Sequence, residues 1–261
     1  MKTIYLSTTL ILLYFLIACV SESSERKKET QTFKIASYNV RNAKGMDNIT
    51  DFDRIAKVIN DMDADAVAIQ ELDSATVRSN NLVVLDELAK RTNMHASFIG
   101  SINYKGGKYG NGILTKEKPL SQKGYKLPGK EEIRSLLIVE LENFVLCCTH
   151  LSLTESDRKE SINLIKKHTE KINSKPVFLA GDLNTKPDSD EIKNLISTWI
   201  PLSDFTKPTF PSDNPDRTID YILLKPNDMF KTDVIDSRVV IETIASDHRP
   251  IWAEVEIERP H

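Results

Sequence analysis

Helical periods that alternate with short extended runs in both halves of the chain predict an α/β (α+β) protein: one domain, sheet packed on sheet, helices outside. Three observations carry this. A β-branched run at Phe33–Val40 precedes a helical period that starts at Phe52, residues 112–150 are rich in short extended runs, and a second long helix then leads into a second apolar strand at Val177–Ala180.

Taken in order, Phe33–Val40 (FKIASYNV) alternates as a strand and ends among the polar residues Asn39, Arg41 and Asn42. Asp51 is the N-cap of a helix in which Phe52, Ile55, Ala56 and Ile59 share a face, and the strand Ala66–Ile69 follows. Leu82, Leu85, Leu88 and Ala89 repeat the helical spacing, Ser97–Ile99 opens a strand, and the glycines of Lys105–Gly112 predict a turn or loop. Ile113–Leu114, Leu136–Leu141 and Phe144–Cys148 are short extended runs separated by Pro119, Pro128-Gly129 and Glu142-Asn143. Glu155–Asn173 is an amphipathic helix leading into Val177–Ala180, and Asp190–Trp199 is a shorter helix. A proline-rich loop spans Pro201–Arg217, and Ile219–Leu224 and Ile251–Ile257 close the fold. No internal repeat is evident in the residues.

The 261 residues suit one large domain. The net charge of −3 and pI near 6.0 show no basic excess of the kind that grips a nucleic-acid backbone unaided; a local patch or bound metal would be needed. At the N-terminus, Lys2 precedes the apolar run Leu10–Ala18, which is shorter than the roughly 20 residues a spanning helix needs. Residues 1–18 read as a signal peptide, and Leu16-Ile17-Ala18-Cys19 resembles the bacterial lipobox, in which the cysteine becomes the lipidated first residue. Residues 19–32 would then be the lipidated Cys19 and its polar tether, and residues 33–258 the domain. The expected location is that of an exported, membrane-anchored lipoprotein, periplasmic or at the cell surface. Cys147 and Cys148 are neighbours on one strand, point to opposite faces, and are expected to be buried thiols rather than a bridge.

Four polar strings stand beside apolar runs: Gln70-Glu71, Thr149-His150-Leu151, Gly181-Asp182-Leu183-Asn184 and Ser246-Asp247-His248. A carboxylate such as Glu71 supplies hard oxygen to Mg²⁺, a histidine beside an acid can accept a proton from water, and Asp182 with Asn184, two apart on an extended segment, can face one phosphate. Asp220 lies inside the apolar run Ile219–Leu224, where an acid is costly unless paired; an imidazole such as His248 or His150 would be such a partner.

With Ser37-Tyr38-Asn39, Gly110-Asn111-Gly112-Ile113-Leu114 and Ile219-Asp220-Tyr221-Ile222 added, seven ordered motifs over residues 33–257 resemble the endonuclease/exonuclease/phosphatase superfamily. This is the group of pancreatic deoxyribonuclease, abasic-site endonucleases, bacterial sphingomyelinases and inositol polyphosphate 5-phosphatases. The resemblance implies a four-layer α/β/β/α sandwich of two packed, mainly antiparallel sheets, with the site at their top. It implies Glu71 as the ligand of Mg²⁺, with Mn²⁺ as the alternative, and Asn39 and Asp247 close to the metal or its waters. It implies Asp220 and His248 as the pair that activates or positions the attacking water, Asp182 orienting that water, and Asn184 bonded to the phosphate. His150 would contact phosphate or assist the leaving group, and Asn39, Asn111 and Arg134 would contact substrate.

Substrate follows less directly, because function lives in the loops. The first reading is a phosphodiesterase acting on a lipid head group or small phosphoester, favoured by the expected lipid anchor, the acidic pI and the short loops. Glu71-Leu72-Asp73 with Arg78, Lys108-Tyr109-Gly110-Asn111-Gly112 and Thr209-Phe210-Pro211 look like a bacterial branch similar to the catalytic-like domain of eukaryotic proteins that remodel lipid anchors. The second is an exported nuclease using the lysines at 105, 108, 123, 126 and 130. The third, a non-catalytic binding module, predicts gaps among the acids and histidines, and none is evident. A monomer is expected. Cys19→Ala should release the protein from membranes; a wild type that stays membrane-bound without incorporating lipid precursors contradicts the lipidation reading.

Overall fold

The computed structural model describes residues 29–259; the expected signal peptide, Cys19 and most of the tether lie outside them. In chain order the elements are β1 (Glu29–Asn39), α1 (Phe52–Met62), β2 (Ala66–Ser74), α2 (Val84–Thr92), β3 (His95–Tyr104), β4 (Gly107–Thr115), β5 (Ser121–Leu127), β6 (Arg134–Glu140), β7 (Val145–His150), α3 (Glu155–Thr169), β8 (Val177–Asp182), α4 (Asp190–Ile196), β9 (Ile200–Pro201), β10 (Asp220–Leu224), β11 (Lys231–Val239) and β12 (Ile251–Arg259). They form two six-stranded sheets, ordered β11-β12-β1-β2-β4-β3 and β5-β6-β7-β8-β10-β9.

Each sheet is antiparallel except at one central pair, β1–β2 and β7–β8, joined by the crossover helices α1 and α3. The two sheets thus share one topology although the residues show no repeat. Alternation along the strands sorts the core into layers. Ile35, Ala68, Leu146 and Cys148 enter the core between the sheets, whereas Tyr38 and Val67 face α1 and α2, and Cys147 and Leu179 face α3 and α4. This is the expected four-layer sandwich, and the two adjacent thiols are buried, unbridged and in different layers. At the base of the inter-sheet core, Phe33, Phe144 and Phe178 pack with ring centroids 5.1, 6.2 and 5.7 Å apart.

Several boundaries differ from the sequence expectation, each for a tertiary reason. The polar residues 29–32, expected as the end of a tether, are strand, because β12 extends to Arg259 and pairs with β1 from Glu29 onward. Most of Lys105–Gly112, expected as loop, is β4; Gly110 is there because a Cβ would lie 2.0 Å from the Ile99 carbonyl oxygen on β3. The exposed edge strands β5 and β11 escape a period-two reading, the first because it is polar, the second because a bulge between Val234 and Asp236 shifts its alternation. The helix expected to reach Asn173 stops at Thr169, where the Lys225 ammonium collects the carbonyls of Thr169, Glu170 and Ile172 at 2.9, 3.0 and 3.0 Å.

Phe178→Ala removes one ring of the aromatic trio and should lower unfolding free energy by about 3–5 kcal/mol in urea denaturation. A loss under about 1 kcal/mol would show that the two sheets are not held through this ring.

Candidate active site

Parallel and antiparallel pairing together bring the ends of β1, β2, β7 and β8 and the beginnings of β10 and β12 to one edge of the sandwich. The cleft there has a volume of about 610 Å³ and is lined by Glu71, Arg134, His150, Asp182, Asn184, Asp247 and His248 among others. Three local devices aim the side chains. A bulge in β2 between Ile69 and Leu72 leaves Glu71 in the left-handed region (φ 62°), turning its carboxylate out of the pleat. Gly181 takes φ 156°, a conformation in which a Cβ would meet the Thr149 carbonyl oxygen at 2.0 Å, so Asp182 can follow close against β7. Asn184 is also left-handed (φ 52°); its side-chain amide donates to the Leu151 carbonyl and its backbone N–H to Asp182 Oδ1, both at 2.9 Å.

Asn39, fully buried, joins the sheets. Its Nδ2 donates to Glu71 Oε1 on one sheet and to Asp182 Oδ2 on the other, each at 3.1 Å. The ring nitrogen His248 Nε2 lies farther from it, at 3.4 Å, and two amide protons are already committed to the two carboxylates. His248 Nε2 therefore faces Asp182 Oδ2, 3.7 Å away, as an N–H. On the other side of the ring, His248 Nδ1 donates to Asp220 at 3.0 Å, and Thr209 Oγ1 donates to the same Asp220 oxygen at 2.6 Å. Burial alone would lower the His248 pKa, but Asp220 and Asp182 outweigh it and push it up to about 10. Asp182 is pushed up to about 7, chiefly by burial, with His248 opposing the shift and Asp220 adding to it. His150, whose Nε2 is 3.4 Å from Asp182 Oδ2, goes the other way: burial, and then the charges of Arg134 and His248, hold it well below its ordinary value and neutral.

Asp182, Asp220 and His248 place donor atoms within 4.8 Å of one another. They do not suit a metal ion, because both Asp220 oxygens face a protonated ring and one also accepts from Thr209, while an imidazole ligand must be neutral. Of the other carboxylates that line the cleft, Glu131 and Glu132 pair with Arg134, and Glu71 and Asp247 fit a divalent cation such as Mg²⁺. Asn39 turns its nitrogen to this point, its Oδ1 accepting from Arg41 N at 3.1 Å; as oriented it positions Glu71 and offers no ligand oxygen. Asp247 is held by the Arg41 guanidinium at 3.6 Å.

Of the residues expected from sequence, Asn111 is not brought to the cleft. It is buried between the sheets, donating from β4 to the Ser135 carbonyl and hydroxyl, both at 3.2 Å. Arg134 does line the cleft, buried between Glu131 (3.1 Å) and Glu132 (2.8 Å). The lysines at 105, 108, 123, 126 and 130 do not line it, and the Lys126 ammonium donates to the carbonyls of Gly100 and Ser101. Sequence reasoning assigned no role to Thr209, Tyr109, Glu132 or Phe210. For Thr209 the available signal was the cost of leaving Asp220 under-bonded; for Glu132 it was the neighbouring Arg134.

A family model described as "Endonuclease/Exonuclease/phosphatase family" matches residues 36–248. No functionally curated protein matches. Among solved structures, an endonuclease/exonuclease/phosphatase from Bacteroides vulgatus superposes with TM-score 0.70 at 18% identity, covering 86% of this chain and 98% of the other. A mannosyl-6-phosphatase of Bacteroides thetaiotaomicron gives 0.67 at 16% identity, covering 85% and 99%. TDP2 of D. rerio, complexed with a single-strand DNA product, gives 0.65 at 19% identity, covering 86% and 98%.

The electrostatics predict a sign. With its folded-state pKa raised to about 10, protonated His248 contributes stability in full below its ordinary value of 6.5, and this is lost as pH rises through 10. In metal-free protein, NMR titration should find the His248 ring still protonated at about pH 8 and His150 neutral at about pH 6. Two rings that both titrate at an ordinary histidine value would contradict this charge arrangement.

Proposed function

The chain belongs to the endonuclease/exonuclease/phosphatase family and is a hydrolase of phosphoester bonds; from that premise we propose that it is a divalent-metal-dependent phosphodiesterase acting on a lipid head group or another small phosphoester. The observation that carries the reading is the inter-sheet constellation in which buried Asn39 and Asp220 hold Glu71, Asp182 and His248 at one cleft. A cleft of about 610 Å³ has the size of a small-molecule site. The lysines at 105, 108, 123, 126 and 130 lie outside it, and the lysine and arginine side chains that line it are Arg134, Lys186 and Arg217.

In the mechanism we infer, Glu71 and Asp247 would hold the cation, whose positive charge would stabilise the phosphate oxygens. Asp182, with its pKa near neutrality, accepts a proton as the oxygen of a water attacks phosphorus. His248, kept cationic by Asp220 through Nδ1, has one N–H left, at Nε2 beside Asp182, and with it donates to a phosphoryl oxygen on which charge develops. The phosphorus–ester oxygen bond breaks on the opposite side and the leaving oxygen takes a proton from solvent, while the neutral His150 lines the cleft as a hydrogen-bonding partner for the phosphate. Asn184 and Arg134 lie along the cleft where they would hold the remaining phosphate oxygens. In the cell we place the enzyme at a membrane through lipidated Cys19.

The protein should release nitrophenol from bis(4-nitrophenyl) phosphate with Mg²⁺ and not with EDTA. Asp182→Asn, His248→Ala and Glu71→Gln should each lower kcat by about 10²–10⁴-fold with the circular dichroism spectrum retained. A well-folded variant of any of the three that keeps near wild-type turnover removes that residue from the mechanism. Nicking of supercoiled plasmid, abolished by His248→Ala, would turn the substrate reading to the nuclease.

A further inference from the structure

One wall of the cleft is built from groups the mechanism above does not use. Tyr109, on β4, lines the cleft beside Glu71 and Glu132, and its hydroxyl has no hydrogen-bond partner among the described residues. The ring is held from behind. The Arg78 guanidinium lies 4.8 Å from the Tyr104 ring and 5.6 Å from the Tyr109 ring, and Arg78 is itself locked by two bonds, 2.7 and 2.8 Å, to the fully buried Asp73. Glu132 spends one oxygen, Oε1, on Arg134 at 2.8 Å, and its other oxygen has no hydrogen-bond partner among the described residues. Burial, and then Glu71 and Glu131 against the opposing pull of Arg134, raise the Glu132 pKa.

What such a wall can bind follows from its chemistry. On this side the carboxylates of Glu71, Glu131 and Glu132 outnumber the one guanidinium, Arg134, that pairs with two of them, which disfavours a second phosphate here. Carboxylate oxygens accept from neutral hydroxyl groups, a phenol can donate or accept, and an aromatic face covers the C–H face of a saturated ring. Resting on the hydrolase reading above, we propose that Tyr109 and Glu132 form a hydroxyl-binding subsite that selects phosphoesters of a polyhydroxylated ring, a sugar or cyclitol, over esters of simple alcohols. Glu131 is not part of this subsite. It accepts from the Leu153 N–H at 2.7 Å and the Ser152 hydroxyl at 2.9 Å, and so fixes the loop that carries Glu132 and Arg134.

The test is a matched pair of chromogenic diesters, 4-nitrophenyl myo-inositol phosphate and 4-nitrophenyl ethyl phosphate, assayed with Mg²⁺. A second arm presents the same contrast in mixed micelles as phosphatidylinositol against phosphatidylethanol, which separates a free polyol ester from a lipid head group. The wild type should prefer the polyol ester in at least one arm by about tenfold or more in kcat/KM, mainly through KM. Tyr109→Phe and Glu132→Gln should each erode that ratio, whereas Asp182→Asn should depress both members of a pair together. Asp182-dependent hydrolysis with no polyol preference in either arm overturns the subsite and leaves the hydrolase reading standing. Equal losses on both esters in the two wall variants also overturn it, assigning Tyr109 and Glu132 to holding Arg134 and Glu71. Failure to hydrolyse any of the esters removes the hydrolase reading and the subsite with it.

Discussion

The carboxamide of Asn39, bonded across the gap between two sheets, is the contact on which the site depends. Glu71 stands on one sheet and Asp182 on the other, and a single side-chain nitrogen donates to both. Asp182 is buried and Glu71 half-buried, so both carboxylates lose hydration and each needs donors. Asn39 supplies them for this pair, and His248, wedged between Asp182 and Asp220, supplies positive charge for the other. Removing either donor would leave buried charge without a partner, which is more costly than never having buried it.

The rest of the fold makes that contact reproducible. The inter-sheet core is aliphatic and aromatic at its base, at Phe33, Phe144 and Phe178, and becomes polar toward the cleft. Gln70 donates to the Cys148 sulfur at 3.4 Å, the Ser101 and Ser135 hydroxyls meet at 2.6 Å, and Asn111 donates to Ser135. These bonds set the spacing of the sheets just below the catalytic edge. Asn111 therefore matters for the site without touching it, by holding β4 against β6. The bulge at Glu71 and the left-handed Asn184 are strained departures from ideal strands, and they sit where the side chains must leave the pleat.

How much of this was legible in the residues depended on what each feature rests on. The central strands, α1 with its Asp51 cap, and the layering were legible because burial enforces period two and period 3.6. The convergence of Glu71, Asp182, Asp220 and His248 was legible through the family resemblance of the ordered motifs, because a single polar string at a strand end does not say which edge of the sandwich it joins. The edge strands β5 and β11 were not, because an edge exposed to solvent puts no apolar requirement on its residues. Nor was the orientation of Asn39 or the inward position of Asn111; which face an amide presents depends on partners more than a hundred residues away in the chain for Asp182, and across the sheet gap for Ser135. The glycine of β4 was misread for a related reason: glycine marks a close approach of backbones as readily as it marks a turn.

The claim that the two sheets share one catalytic network is tested most directly by a double-mutant cycle of Asn39→Ala and Asp182→Asn, with kcat/KM for bis(4-nitrophenyl) phosphate measured in saturating Mg²⁺. If both residues act as a unit, the double variant should be hardly worse than the more damaged single variant, with a coupling of about 1–3 kcal/mol. Losses that simply add would mean that Asn39 and Asp182 act independently, and that the inter-sheet contact is not what assembles the site.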